Sequence, residues 1–461
     1  MIIRVPKKSE MITNPKIAGI VILLTAFFIP RIAFAAQFLF TPRASASETY
    51  TDNLFLTEDN QDDDFITNVS AGFTAQLLGR TSGLDLTFDP GYAFYQDFTE
   101  NDTWRLPANL RAWIQPSRAT LFEFTDQFIR TEDPVSQDQV VVQDGRVEET
   151  GDTTVRRERE PYWSNNARLN YSHQFGQEDR FFAGFNYGIL RNDSDFEEDN
   201  DNYRLNAGLD YWFTQRFGGE FFGEYTRGEY NQQSGFGGEG SSDFDNWLGT
   251  LRFRGRMTRH FGLFVQYAQA RRNFTSGDDN DYIVYAPSAG FDYDISEDTF
   301  LRLGLGYYYQ DTENEKNQED PFFNGEIAKI WNYQRGSVNL TGLAGLTQND
   351  FGAQNQGFQQ FAAIEASASY DFTRRIIGDT RTYFRYSSTP GNTDDTGDGD
   401  TRKDGRAQFN AGIGFLPTRW MNIRLGYTFN YYTTDAANEP DYSENRALLT
   451  VTLQPDRPWR F

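Results

Sequence analysis

The chain has no cysteine among its 461 residues and only two histidines, His173 and His260. Without thiols, an exported chain of this size has no disulfide framework and no thiolate metal site. Two histidines cannot furnish a transition-metal centre either, so no metal and no cofactor is expected. Lysine is nearly missing: beyond residue 35 there are only Lys316, Lys329 and Lys403. A net charge of −23 makes the chain a poor partner for nucleic acid, whose phosphates need a basic face, so no nucleic acid is expected as a partner. Beyond residue 35 no apolar run reaches the ~18 residues a membrane helix needs. Nor does any long stretch repeat apolar residues at helical spacing, so helix is a minor component at most.

What the chain does have is aromatic residues, 16% of the total, and 40 glycines. Disordered chains are poor in aromatics. A chain polar on average, with a mean hydropathy of −0.67, but rich in aromatics suits a transmembrane barrel, where every second strand residue faces lipid. The N-terminus reads as an export signal. Arg4, Lys7, Lys8 and Lys16 precede the short apolar stretch Ile17 to Ile29, and Ala33-Phe34-Ala35 is an A-x-A cleavage site. Residues 1–35 are therefore expected to be a signal peptide, and 36–461 one transmembrane β-barrel.

Alternation supports this. Phe65, Val69, Ala71, Phe73, Ala75 and Leu77 share one strand face, while Asn68, Ser70, Gly72, Thr74 and Gln76 share the other. The pattern recurs in Tyr203 to Phe213, Trp247 to Met257, Ala407 to Phe415 and Ile423 to Tyr431. Short turns such as Pro116 to Arg118, Thr214 to Arg216 and Thr258 to His260 alternate with longer acidic segments such as Asp52 to Asp64, Thr131 to Pro161, Asp311 to Asn324 and Pro390 to Asp404. Short periplasmic turns alternating with long extracellular loops are the rhythm of a bacterial barrel. Nine turns and ten loops predict an all-β fold: one up-and-down antiparallel barrel of about twenty strands, in the outer membrane. A β-propeller has a similar repeat length but needs a signature per blade and four short strands, which are not seen. Pro90, Pro107 and Pro287 fall inside expected strands, where bulges near the rim would accommodate them. Pro455 and Pro458 separate Trp459-Arg460-Phe461 from the last clear strand, Arg446 to Gln454.

Glu48-Thr49-Tyr50-Thr51-Asp52-Asn53-Leu54-Phe55-Leu56 resembles the opening of a poorly characterised family of outer-membrane β-barrel porins, some associated with polysaccharide-export loci. The segment Asp62 to Leu77 and the terminal Trp459-Arg460-Phe461 are similar as well. The resemblance implies an outer-membrane location and a role linked to surface polysaccharide, and it brings no catalytic residues.

Strand phase puts His173 near a periplasmic strand end, on the apolar face with Leu169, Tyr171 and Phe175, and puts His260 in a periplasmic turn. An outer-membrane hydrolase needs its histidine at the extracellular rim, beside a nucleophile or carboxylate, so no enzyme is expected. The acidic tips Asp278-Asp279-Asn280-Asp281 and Asp394 to Asp400 read as solvated loops; the latter lacks EF-hand spacing, with weak Ca²⁺ binding among lipopolysaccharide phosphates as the alternative. The interior face is more informative. If Leu251, Phe253 and Met257 face lipid, then Arg252, Arg254 and Arg256 form an inward ladder. The same phase turns Arg105, Arg111, Arg204, Arg381, Arg385 and Arg424 inward, with Arg168, Arg302 and Arg406. Asp85, Asp89, Glu123, Asp210, Asp292, Asp294 and Glu365 oppose them. These arginines are the expected pore lining, and they either brace the wall as ion pairs or attract anions. The expected function is a porin-like channel for hydrophilic, anionic solutes. The alternative is a structural or conduit part of polysaccharide export. The expected partners are outer-membrane lipid and lipopolysaccharide, the barrel-assembly machinery, and small hydrophilic solutes or polysaccharide. Thr131 to Pro161, the longest loop, is the expected constriction.

Overall fold

The computed structural model describes residues 37–461 apart from 135–138, 144–145, 151–158, 194–198, 232–242, 276–279, 297, 314–316, 350–356, 390–401 and 436–440. The expected signal peptide and the acidic tips at 278–279 and 394–400 lie outside the described residues.

The wall is a closed antiparallel barrel of 20 strands. It opens with Gln37–Thr51 and Asp64–Leu78. Next come two interrupted strands, Ser82–Phe88 with Gly91–Tyr95 and Thr103–Arg105 with Ala108–Ser117. Thr120–Thr131 follows, and the rest run in order from Tyr162–Gln174 to Tyr442–Leu453. Each pairs with its sequence neighbour. The ring closes where the first strand meets the last, from Ala44 opposite Leu453 to Thr51 opposite Arg446. The one described helical element is the 3-10 turn Thr99–Asn101.

The exterior follows the expected phase. Leu205, Leu251, Phe253, Val265 and Leu305 stand on it, and Val265 is 62% exposed. A continuous belt of bare aliphatic and aromatic side chains would drive aggregation in water, so the medium around it is lipid. This is a barrel of the outer-membrane type, and the outer membrane is its location.

The prolines depart from expectation. Pro90 and Pro107 do not sit in rim bulges. They interrupt two adjacent strands at mid-wall, side by side, and the ladder is carried past them by their carbonyls. Asp89 N–H donates to the Pro107 carbonyl at 3.1 Å, and Ala71 N–H to that of Pro90 at 3.1 Å. Next to this break Gly72 is required, because a Cβ there would collide with the Phe88 carbonyl and Asp89. Pro287 leaves its strand, Tyr282–Ser296, unbroken: pairing with Thr299–Thr312 lapses at Ala286 and Pro287 and resumes at Ser288 opposite Gly306 without a register change. The segment expected as a loop from Asp311 to Asn324 is mostly wall, since Gln318–Tyr333 is a strand. The terminal aromatic segment also rejoins the sheet. Trp459 pairs with Phe40 and Arg460 with Leu39, and Phe461 N–H donates to the Phe38 carbonyl at 3.1 Å.

The phase is testable at one strand. Leu251→Arg places a guanidinium in lipid and should destabilise the barrel by about 2–4 kcal/mol near the bilayer midplane, whereas Thr250→Arg, on the interior face, should be tolerated. Equal losses in denaturant-induced unfolding would mean the wall is read inside out.

Candidate functional site

The lumen holds two distinct polar arrangements, one woven into the wall and one hung across it. In the wall, the arginines expected to line the pore project opposite the exposed apolar belt, and most meet a carboxylate. Arg252 donates to Asp292 at 2.9 Å and lies 3.9 Å from Glu220. Arg254 pairs with Glu220, and Arg256 with Glu178. Arg111 pairs with Glu123, Arg204 lies 3.6 Å from Glu224, and Arg381 lies 3.1 Å from Glu365. Arg424 grips both Asp379 oxygens at 2.6 Å, and Arg302 donates to Glu326 at 2.8 Å. Arg385, 6% exposed, sits over the Phe361 ring. Arg168 donates to Asn166, and Arg406 lies in the strand Arg402–Thr418. Five of the opposing carboxylates expected from strand phase pair with an arginine: Glu123, Asp292 and Glu365 as above, Asp210 with Arg180 at 3.5 Å, and Asp89 with Arg43. Asp85 accepts from Gln76.

Sequence spacing could not show what the ladder rests on. Arg252 stacks over Phe264 at 3.8 Å, while Arg254 and Arg256 lie over the Trp212 ring at 4.3 and 3.7 Å. Around these groups opens a recess of about 240 Å³ near the short-turn end of the barrel. Arg180, Arg252, Arg254, Arg256, Arg259 and Arg302 border it against Asp210, Glu220, Asp292 and Asp294. His260 is at its edge, with Nδ1 2.8 Å from the Asp294 carbonyl, a distance that fixes the proton on Nδ1. His173 Nδ1 lies 2.9 Å from the Thr120 hydroxyl at the same end. Both histidines stand where strand phase placed them.

The second arrangement uses the long segment Thr131 to Pro161. Within it, Gln139–Gln143 and Arg146–Thr150 form a hairpin separate from the wall. Its backbone lies against the strands Gln318–Tyr333, Gly336–Asn349 and Gly357–Thr373. The segment leaves the wall between Thr120–Thr131 and Tyr162–Gln174, about half the ring away from those strands, so the hairpin crosses the lumen. The loop expected as a constriction is thus folded inward.

Both stems of this strap are clamped beside the closure seam. Glu132, fully buried, takes Arg105 and the Tyr95 hydroxyl, the latter at 2.6 Å. Asp133 takes both terminal nitrogens of Arg446 at 2.9 and 3.0 Å. From the returning stem, Arg159 donates to the Leu54 carbonyl at 2.7 Å and to Tyr95 at 3.3 Å. Glu444 lies 4.0 Å from Arg159, pairs with Arg446 and accepts from Thr51 at 2.7 Å and Asn430 at 2.9 Å. The segment Glu48 to Leu56 earns its place here. Asn53 accepts from Thr57 N–H at 2.9 Å and donates to the Ser443 carbonyl at 2.9 Å, which tucks Leu54 and Leu56 into the interior. There Leu54 packs with Ile66, Ala93 and Tyr95, and Leu56 with Tyr432 and Tyr442. The clamp went unread in the sequence. Glu444 and Arg446 did carry a signal, one strand period apart on the inward face, whereas Glu132, Asp133 and Arg159 lie in a loop with no period to read.

No family model and no curated protein matches the chain. Among solved structures it is similar to the outer membrane protein OpdK from Pseudomonas aeruginosa, at 12% identity over 90% of this chain and 99% of that one, TM-score 0.36. It is similar also to OccAB3 of Acinetobacter baumannii, at 11% over 92% and 99%, TM-score 0.38. OccK2 of Pseudomonas aeruginosa gives 12% over 91% and 98%, TM-score 0.39. At such values the likeness assigns no function, and the fold stands on the strand pairing itself.

Desolvation alone would raise the Asp133 carboxyl, but Arg446 and Arg159 overcome it and hold the group well below the ordinary carboxylate range. The stabilisation from Asp133 is therefore complete above its unfolded pKa of ~3.9 and is lost only as pH falls through the lower folded value. The clamp should keep the strap seated down to about pH 4, with single-channel conductance flat over that range. Arg446→Gln leaves Asp133 and Glu444 to share Arg159 alone, at 3.9 and 4.0 Å, and breaking a buried pair from one side costs about 3–5 kcal/mol. Denaturant unfolding of that variant reads the loss; a change below 1 kcal/mol would mean the clamp is slack.

Proposed function

We propose that the chain is a passive, porin-like channel for small hydrophilic solutes that favours anions. The supporting observation is the recess beside the arginine ladder, where six guanidinium groups meet four carboxylates. Arginine offers a planar, permanently charged fork that suits carboxylate and phosphate, and an anion entering the recess meets six such forks along one low-dielectric wall. The ion pairs, which draw in Glu178 and Glu326 from beside the recess, hold these forks at fixed positions. The inward strap supports a channel for small solutes and counts against a conduit for a polymer, because it divides the lumen.

Purified protein in planar bilayers should conduct, and its reversal potential in a salt gradient should report a preference for anions. The measurement belongs near 0.15 M salt, where screening falls to about 8 Å and the acidic outer loops act weakly on the interior. Replacing Arg252, Arg254 and Arg256 together with Gln should move the reversal potential toward cations. A wild-type channel that prefers cations would sink the anion reading and leave the ladder as a brace. Deleting residues 139–150 should raise conductance severalfold, while an unchanged value would place the constriction elsewhere.

A further inference from the structure

The interior arginines are paired, but a second set at the short-turn rim is not. Arg80, Arg118, Arg216, Arg259, Arg335 and the Arg374-Arg375 pair occupy the tips of six of the short turns and are all exposed, Arg259 also bordering the recess. Among the described residues none of them forms an ion pair. Arg457 and Arg460 extend the ring at the C-terminal end, while Arg419 has Asp456 at 3.7 Å. Acidic groups are outnumbered here, although Asp294 is exposed, Glu297 neighbours Asp298 in the sequence and Asp456 faces Arg419. Glu178 is taken by Arg256, Asp179 accepts from Trp212 N–H at 2.8 Å, and Asp298 and Asp371 are exposed. The opposite rim has the reverse sign, with Asp59, Asp62 and Asp63 exposed in the first loop.

We propose that this ring binds the anionic phosphates of phospholipid headgroups in the periplasmic leaflet. What selects lipid over a soluble polyanion is where the guanidinium groups sit relative to the apolar belt. Exposed belt side chains at this end include Phe213, Met257, Tyr333, Phe372, Trp420 and Trp459. Each stands within three residues of one of these arginines, on the same hairpin or on the terminal segment. Aromatic side chains at the foot of a barrel mark the depth of the headgroups. At ~3.4 Å of rise per residue, a guanidinium two residues further on reaches the phosphate layer just beyond them. Arginine forks a phosphate through two N–H bonds and, unlike lysine, remains favourable when partly dehydrated. The near-absence of lysine fits a rim selected for phosphate contacts rather than for bulk charge.

The test uses the full chain folded in a neutral detergent and titrated with phosphatidylglycerol or with phosphatidylcholine of the same acyl chains, counting bound lipid by native mass spectrometry. Phosphatidylglycerol should be retained over phosphatidylcholine on the order of tenfold, because the choline cation offsets the phosphate charge that these arginines meet. The variant Arg216→Gln/Arg259→Gln/Arg335→Gln/Arg374→Gln/Arg375→Gln should bring that ratio close to one. Neutralising Asp59, Asp62 and Asp63 on the other rim should leave it unchanged. Heat-dependent gel mobility confirms that each variant is folded; if the fivefold change fails to fold, the pair Arg216→Gln/Arg259→Gln should lower the ratio severalfold. Equal retention of both lipids, or a preference that survives these substitutions, overturns the proposal. So does inorganic polyphosphate displacing the bound phosphatidylglycerol completely at equal phosphate concentration, which would make the ring a site for a soluble polyanion.

Discussion

Hydrocarbon offers no hydrogen-bond partner, so every backbone N–H and C=O at membrane depth has to be paired inside the wall. That requirement closes the sheet, and closure then dictates where each irregularity can sit. The seam between Gln37–Thr51 and Tyr442–Leu453 covers only the upper part of the first strand. Its lower part, Phe38 to Phe40, is paired instead by Trp459 to Phe461, after Pro455 and Pro458 have carried the chain around. The terminal residues are therefore wall, not tail. Pro90 and Pro107 obey the same rule. A proline has no N–H to give, but its carbonyl still accepts, and placing two such sites side by side lets adjacent strands lapse together while the neighbours' amides stay satisfied.

Closure also fixes the chemistry of the two faces. With a period of two, every residue not facing lipid faces the lumen, and a wall with an aliphatic exterior must put its charged groups inside. Inside, an unpaired ion on a low-dielectric wall is costly, and the pairs observed across neighbouring strands are the economical arrangement. Strand register does the pairing: Arg254 lies one strand from Glu220, Arg381 one strand from Glu365, and Arg111 one strand from Glu123.

This explains what could be read before the structure and what could not. The twenty strands, the direction of Leu251 and Phe253, and the inward turn of the arginines all depend on alternation, which is local and visible in the residues themselves. So is the opposition of Glu123, Asp292 and Glu365 to those arginines. The strap is different. That Thr131 to Pro161 is long is plain from the sequence. That it crosses to Gly336–Asn349 depends on contacts between residues some two hundred positions apart, which carry no periodic trace. The clamp made by Glu132, Asp133 and Arg159 has the same character. The placement of Pro90 and Pro107 was misjudged because a single proline reads as a defect to be moved to the rim, whereas a matched pair can share one interruption at mid-wall.

Arginine serves three purposes in this molecule, and neighbourhood alone distinguishes them. In the clamp, Arg159 and Arg446 are surrounded by carboxylates, a carbonyl and a tyrosine, so their charge is spent on holding a loop. In the ladder, each guanidinium has a carboxylate at one edge and an aromatic face beneath it, a geometry in which stacking on Trp212 or Phe264 fixes the side chain while part of its charge still acts on the lumen. At the rim, among the described residues, Arg80, Arg118, Arg216, Arg335 and Arg374-Arg375 have neither partner, and their charge is turned toward the surroundings of the turns. Lysine could replace arginine in none of the three without loss, because a flexible ammonium neither forks a carboxylate nor stacks flat on an indole. The near-absence of lysine beyond residue 35 is therefore tied to the architecture: in a wall one residue thick, a cation has to be held by its geometry as well as by its charge.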